Sequence, residues 1–149
     1  MRKSIAAALV CALPLSALAD EDEGEASSFG PAGLLSAGNR QTLPPILLSA
    51  GEPLAESPLT LKSGTYYKLA IEADGSQELA LEGPGFFRAI WIDEIVIEGL
   101  EIRPFGIESV EFDRDGTMEI GFVAIRPGSY FLRVPGTSGE TQRLEITIE

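Results

Sequence analysis

A chain of 149 residues, 44% of them hydrophobic, is long enough for one domain with a packed core and short for two. It carries 23 acidic against 11 basic side chains, no histidine and a single cysteine. That balance excludes Ser-His-Asp catalysis, and it lacks the cationic surface that nucleic acid or an anionic membrane requires; it suits a basic partner or a cation.

Arg2 and Lys3 precede an apolar run from Ile5 to Leu18, and Ala17-Leu18-Ala19 has the small-x-small pattern of a cleavage site. The run is too short for a stable membrane span. Residues 1–19 are therefore expected to be a signal peptide, cleaved after Ala19 to release a periplasmic or secreted product with no membrane attachment. Val10 before Cys11 argues against lipidation at that cysteine, because a small residue is needed there. Cleavage takes away two cations, no acids and the only cysteine, leaving a net charge of −14 and no route to a disulfide or a thiol nucleophile.

Residues 20–44 read as an acidic flexible tail. The charge run Asp20-Glu21-Asp22-Glu23-Gly24-Glu25 gives way to Ser, Gly and Pro with no helix or strand period, and Leu43-Pro44-Pro45 forms an extended spacer.

Residues 45–149 change character: Gly and Pro recur at short intervals between segments rich in Ile, Val, Phe, Tyr and Leu. Ile46-Leu47-Leu48 and Leu59–Leu61 are expected as short strands. Tyr67, Leu69 and Ile71 alternate with polar neighbours up to Asp74-Gly75, which predicts a tight hairpin turn before the strand 77–82. Gly83-Pro84-Gly85 breaks that strand. Phe86 to Glu101 is apolar on both parities; its β-branched content favours strand, with a helical turn near Asp93-Glu94 as the alternative. Further strands are expected over 107–112, 117–125, 129–134 and 144–148, with Asp113-Arg114-Asp115-Gly116 as a hairpin turn. About eight strands at this spacing predict an all-β β-sandwich or barrel.

The segment Arg126-Pro127-Gly128-Ser129-Tyr130-Phe131-Leu132-Arg133-Val134 resembles the cupredoxin (plastocyanin-like) family, small sandwiches that carry one blue copper. Leu61-Lys62-Ser63-Gly64-Thr65-Tyr66-Tyr67-Lys68-Leu69 is similar to the family's early strand pair, and Leu144-Glu145-Ile146-Thr147-Ile148 to its closing strand. The resemblance spans residues 45–149 and implies an all-β, cupredoxin-like Greek-key β-sandwich of about eight strands. It also places the copper cysteine at Val134, one histidine at Thr137, the methionine at Gln142 and the other histidine near Glu78. Blue copper needs two imidazoles and a thiolate, so the resemblance argues for the fold and against copper and its electron transfer.

Three groups of residues are left as candidates. Glu111, Asp113, Asp115 and Glu119 alternate as in the first half of a calcium loop, although Phe122 stands where a bidentate glutamate would close it and Arg114 sits inside it. Trp91 with Phe86 and Phe87 is either an aromatic platform for a partner or part of the core. Asp93 and Glu94 are adjacent, so in a regular strand they face opposite ways and cannot act together. The sequence thus predicts a metal-free, non-enzymatic accessory or binding protein that docks to another exported protein, basic or redox-active. Hard-cation binding, of calcium or a lanthanide, is the alternative.

Overall fold

The computed structural model describes residues 30–138 and 140–149. The predicted signal peptide and the acidic run after it lie outside the described residues. Two sheets pack face to face. One has the strands β1 (Arg40–Thr42), β2 (Ile46–Leu48), β4 (Tyr66–Ala73), β6 (Ile90–Ile97), β7 (Leu100–Ile102) and β9 (Gly116–Ala124), in the order β1-β4-β9-β6-β7 with β2 also on β4. The other has β3 (Leu59–Leu61), β5 (Leu79–Glu82), β8 (Ser109–Phe112), β10 (Gly128–Arg133) and β11 (Arg143–Ile148), in the order β3-β11-β10-β5-β8.

The period-2 pattern decides which side chains meet between the sheets. Tyr67, Leu69 and Ile71 of β4 and Met118, Ile120, Phe122 and Ala124 of β9 face Leu81, Leu132, Leu144, Ile146 and Ile148, all buried in one cluster. Each fully buried aliphatic or aromatic side chain contributes about 1.5–3 kcal/mol. With no disulfide among the described residues, this cluster holds the fold.

Four local expectations change. Residues 40–42, expected in the tail, form β1, which runs parallel to Tyr66–Lys68 of β4. Prolines 44 and 45 then interrupt the chain, and β2 resumes on Ile71–Ala73 of the same strand. The two prolines sit on an edge, where a missing N–H is tolerated. Upstream, the buried Asn39 donates from Nδ2 to the carbonyls of Leu34 and Gly64, 2.8 Å each, which fixes the entering segment to the domain.

Neither predicted hairpin turn joins paired strands. Asp74-Gly75 carries the chain from β4 in one sheet to β5 in the other, and Asp113–Asp115 carries it back from β8 to β9. The two crossings touch: a Cβ on Gly75 would lie 2.8 Å from the backbone nitrogen of Asp115. The ambiguous block resolves into a one-turn helix, α1 (Pro84–Phe87), with Pro at its start, followed by the β6–β7 hairpin. The helical turn therefore precedes the position near Asp93-Glu94 where it was the alternative to strand. The splitting of this block, together with β1, raises the strand count above eight.

Candidate functional site

The Gly-x-Tyr pattern at 128–130 has a structural cause. Tyr130 folds back so that its hydroxyl donates to the carbonyl of Arg126 at 2.9 Å. The phenol then lies where a Cβ on residue 128 would stand, 2.9 Å from it, and Gly128 has a φ of 152°. Only glycine satisfies both conditions.

The strand that follows leads to the positions at which the resemblance places metal ligands. Glu78, Val134, Thr137 and Gln142 all line one pocket of about 380 Å³ at the end of the sandwich. Val134 is buried and offers no donor atom. Thr137 Oγ1 donates to the Val134 carbonyl at 2.7 Å, and Gln142 Nε2 donates to the Ser49 carbonyl at 3.0 Å. Thr137 and Gln142 thus brace the loop around them.

At the mouth of the pocket the carboxylates of Glu78, Glu111 and Asp113 lie within 4.8 Å of one another, all exposed. A hydrogen bond with Glu111, then the negative charges of Glu111 and Asp113, pushes the Glu78 carboxyl above its ordinary range. Of the four predicted calcium ligands, Glu111 and Asp113 therefore converge, with Glu78 as a third. Glu119 does not join them, since it pairs with Lys68 at 2.7 Å on the outer face of the β4–β9 ladder. Asp115 lies outside the cluster, on the crossing beside Gly75. The linear spacing does not bring the four together because residue 112 ends a strand of one sheet and residue 116 begins a strand of the other.

The aromatic trio divides. Phe86 and Phe87 are core residues, with Phe86 edge-on to Phe122 at 5.7 Å between centroids. Trp91 alone is exposed, about half of it, on the outer face.

Asp93 and Glu94 contradict the expectation that they face opposite ways. A β-bulge lies between Ile92 and Glu94, so Ile92 pairs with Phe122 and Glu94 with its neighbour Gly121. Asp93 is the extra residue, and the parity resets so that Ile92 and Ile95 both enter the core. Both carboxylates then reach the same guanidinium: Arg103 lies 3.2 Å from Asp93 and 3.4 Å from Glu94. The buried Tyr66 hydroxyl donates to Asp93 Oδ2 at 3.2 Å. Burial, then the charge of Asp93 and its hydrogen bond, pushes the Tyr66 hydroxyl from its ordinary 10 up to about 12. Gly121 makes the room, because a Cβ there would lie 2.2 Å from Tyr66 Oη. This cluster is satisfied internally: each acid has a donor, and Arg40 caps the Tyr66 ring at 4.8 Å.

A second concavity was not anticipated. A groove of about 940 Å³ runs between β2, the loop 49–58, the start of β3 and the end of β4. Pro44, Pro45, Leu47, Pro53, Ala55, Leu59 and Ala73 supply its apolar walls, and its charged lining is wholly acidic: Glu52, Glu56, Glu72 and Asp74. The Leu47 N–H bonds the Leu54 carbonyl at 2.9 Å and the Ala50 N–H bonds Ser76 Oγ at 2.9 Å, so the loop is pinned at its start and its middle. Hydrogen bonds from the Ser49 and Ser76 side chains hold the Asp74 carboxyl down at about 2. The signal in the sequence was the cluster of prolines at 44, 45, 53 and 58 interleaved with acids, which reads as loop rather than as wall.

No family model matches the chain, and no curated protein is similar to it in sequence. Solved structures do match. A multi-copper oxidase from Pseudomonas thermotolerans aligns with a TM-score of 0.56 at 16% identity, over 75% of this chain and 30% of that one. A blue copper oxidase from Nitrosomonas europaea aligns at 0.49 and 14% identity, over 62% and 30%. A copper nitrite reductase from the same organism aligns at 0.49 and 16% identity, over 64% and 33%. This chain thus spans about a third of the length of these proteins, and at such identity the likeness concerns the fold alone. The domain is a cupredoxin-like β-sandwich.

Proposed function

We propose that this is an exported, metal-free cupredoxin-like binding protein whose groove beside β2 docks a basic, apolar segment of another exported protein. The observation that carries the reading is the groove itself, in which apolar walls meet four carboxylates and no lysine or arginine. Such a site rewards a ligand that brings hydrophobic side chains flanked by cations, and penalises an acidic one. Export is supported by the Arg2-Lys3 start, the apolar run and the Ala17-Leu18-Ala19 pattern.

Metal-free is supported by chemistry at the copper-equivalent positions. Val134, Thr137 and Gln142 do not fit a blue-copper centre, which requires imidazole and thiolate donors, and the whole chain encodes no histidine. Electron transfer through that centre therefore has no donor set to act on.

The test is an amide NMR titration of the full chain with two synthetic peptides, one alternating leucine and lysine, the other leucine and glutamate. The lysine peptide is expected to shift Leu47, Ala55 and Ala73 and to bind more tightly at low salt. Glu56→Lys with Glu72→Lys is expected to weaken it about tenfold or more. Equal binding of the glutamate peptide, or shifts confined to other faces, refutes the reading.

A second reading, hard-cation binding, rests on Glu78, Glu111 and Asp113, whose mutual repulsion a divalent ion would relieve. Calorimetry with calcium and a lanthanide, with Glu111→Gln as control, decides it; absence of heat at millimolar ion removes it.

A further inference from the structure

We infer that the chain forms a twofold dimer by pairing β7 with β7 of a second copy, antiparallel about Ile102. Among the described residues β7 is the last strand of its sheet, with nothing paired to its far side. All three of its residues are exposed. Leu100 and Ile102 stand opposite Ile97 and Ile95 in the hairpin ladder. Ile97, Leu100, Ile102 and, just beyond, Phe105 all remain exposed to solvent. A bare apolar edge of this kind is a template for strand addition unless something blocks it.

The hairpin geometry says which backbone groups are free. Its two-residue turn, Glu98-Gly99, has φ of 49° and 81°, the type I′ form, and this makes Ile97 and Leu100 the first hydrogen-bonded pair. Leu100 and Ile102 therefore turn their N–H and C=O toward β6, whereas Glu101 and Arg103 turn theirs outward.

Antiparallel pairing about Ile102 sets Glu101 opposite Arg103 of the second copy, and the reverse. The outward backbone groups of those two residues meet, giving four backbone hydrogen bonds across the axis. Within each chain Arg103 already lies against Asp93, Glu94 and Glu101, so Glu101 of the second copy joins a guanidinium that three acids share, and each cross-strand side-chain pair still unites opposite charges. Ile102 meets its own copy. Pro104, which has no N–H, falls opposite Leu100, at a position where none is required. The segment Leu100-Glu101-Ile102-Arg103-Pro104 is thus complementary to itself in charge, in hydrogen-bond parity and in where pairing stops. That is the property an isologous interface demands. The net charge, −12 over the whole chain and −14 after the expected cleavage, opposes association at long range, so the dimer strengthens as salt rises through the physiological range.

Sedimentation velocity over a dilution series, together with amide exchange, tests this. The unaltered chain is expected to dimerise, with the amides of Glu101 and Arg103 gaining protection as concentration rises while Leu100 and Ile102 are protected throughout. Glu101→Arg and Arg103→Glu each place like charges opposite one another, and each is expected to weaken self-association about tenfold or more. An equimolar mixture of those two variants restores it, because every cross-strand pair is then Arg–Glu, and the double variant E101R/R103E restores it within one chain. Circular dichroism checks that each variant is folded. A chain that stays monomeric at the highest attainable concentration, or a mixture no more associated than either variant alone, overturns the inference. So does concentration-dependent protection elsewhere with none at Glu101 and Arg103. The peptide groove lies on other strands, so either result leaves the proposed docking function to its own test.

Discussion

Replacing Gly121 with alanine should be among the most damaging single-methyl changes in this protein. The added carbon would lie 2.2 Å from Tyr66 Oη, 3.1 Å from its Cζ and 3.3 Å from Glu94 Cγ. Tyr66 is buried and cannot swing into solvent without uncovering the β4–β9 ladder. Overpacking of this kind costs about 1–3 kcal/mol. Displacing the phenol also breaks its bond to Asp93, worth about 1 kcal/mol. The sum is a loss of about 2–4 kcal/mol, or a fall in Tm of roughly 8–16 °C for a domain of this size. Urea unfolding and calorimetry measure it. The clash is with an oxygen, so Tyr66→Phe in the Gly121→Ala background should restore part of the loss, and the double-mutant cycle should show a coupling of about 1 kcal/mol or more. Gly121→Ala within about 0.5 kcal/mol of the parent chain, or strict additivity with Tyr66→Phe, refutes the packing argument.

Spectrophotometric titration should show Tyr66 ionising near 12, and Asp93→Asn should lower that midpoint by removing a charge and a hydrogen-bond acceptor. The neutral phenol is favoured by the fold, so its contribution to stability is whole below pH 10 and declines as pH rises from 10 toward 12. Asp74 behaves in the opposite sense: its carboxylate is favoured by the fold, so its contribution is present above its ordinary value of 3.8 and fades as pH falls toward 2. Carbon-detected NMR should place its midpoint near 2, and Ser49→Ala should raise it. Gly83→Ala should destabilise the chain, because its Cβ would meet Leu132 Cδ2 at 2.4 Å and the Phe131 carbonyl at 2.7 Å; a Tm unchanged by that substitution would mean α1 can lift from β10 freely.

Much of the sandwich is legible from alternation alone. The inward faces of β4, β9 and β11 follow the period-2 rule residue by residue, although Tyr66, Gly121 and Val123 on the outer face of β4 and β9 are buried as well. What alternation cannot carry is which strands pair. Asp74-Gly75 and Asp113–Gly116 have the composition of hairpin turns, yet each joins strands of different sheets, and only the three-dimensional partner distinguishes a hairpin from a crossing. The same limit hid the carboxylate cluster, since Glu78 and Glu111 meet through the β5–β8 ladder across 33 residues of chain. β1 was invisible for another reason: Arg40-Gln41-Thr42 has no apolar face, and all three residues are exposed. The groove escaped because its walls join loop residues, whose composition signals only irregular backbone, to Leu47, Leu59 and Ala73 from three separate strands.

The bulge in β6 has a consequence for how the strand tolerates change in length. Losing one residue from a strand ordinarily reverses the facing of everything beyond it. Here the strand already holds one residue more than its partner requires: Ile92 and Glu94 oppose the consecutive residues Phe122 and Gly121. Without Asp93, the run Trp91-Ile92-Glu94-Ile95 alternates regularly, and each remaining side chain keeps the face it has now. A chain lacking residue 93 should therefore fold with an unchanged core and lose only the acceptor for Tyr66 and the two contacts of Arg103 with Asp93. Among related sequences, a gap at this point would mark a straightened strand rather than a different protein.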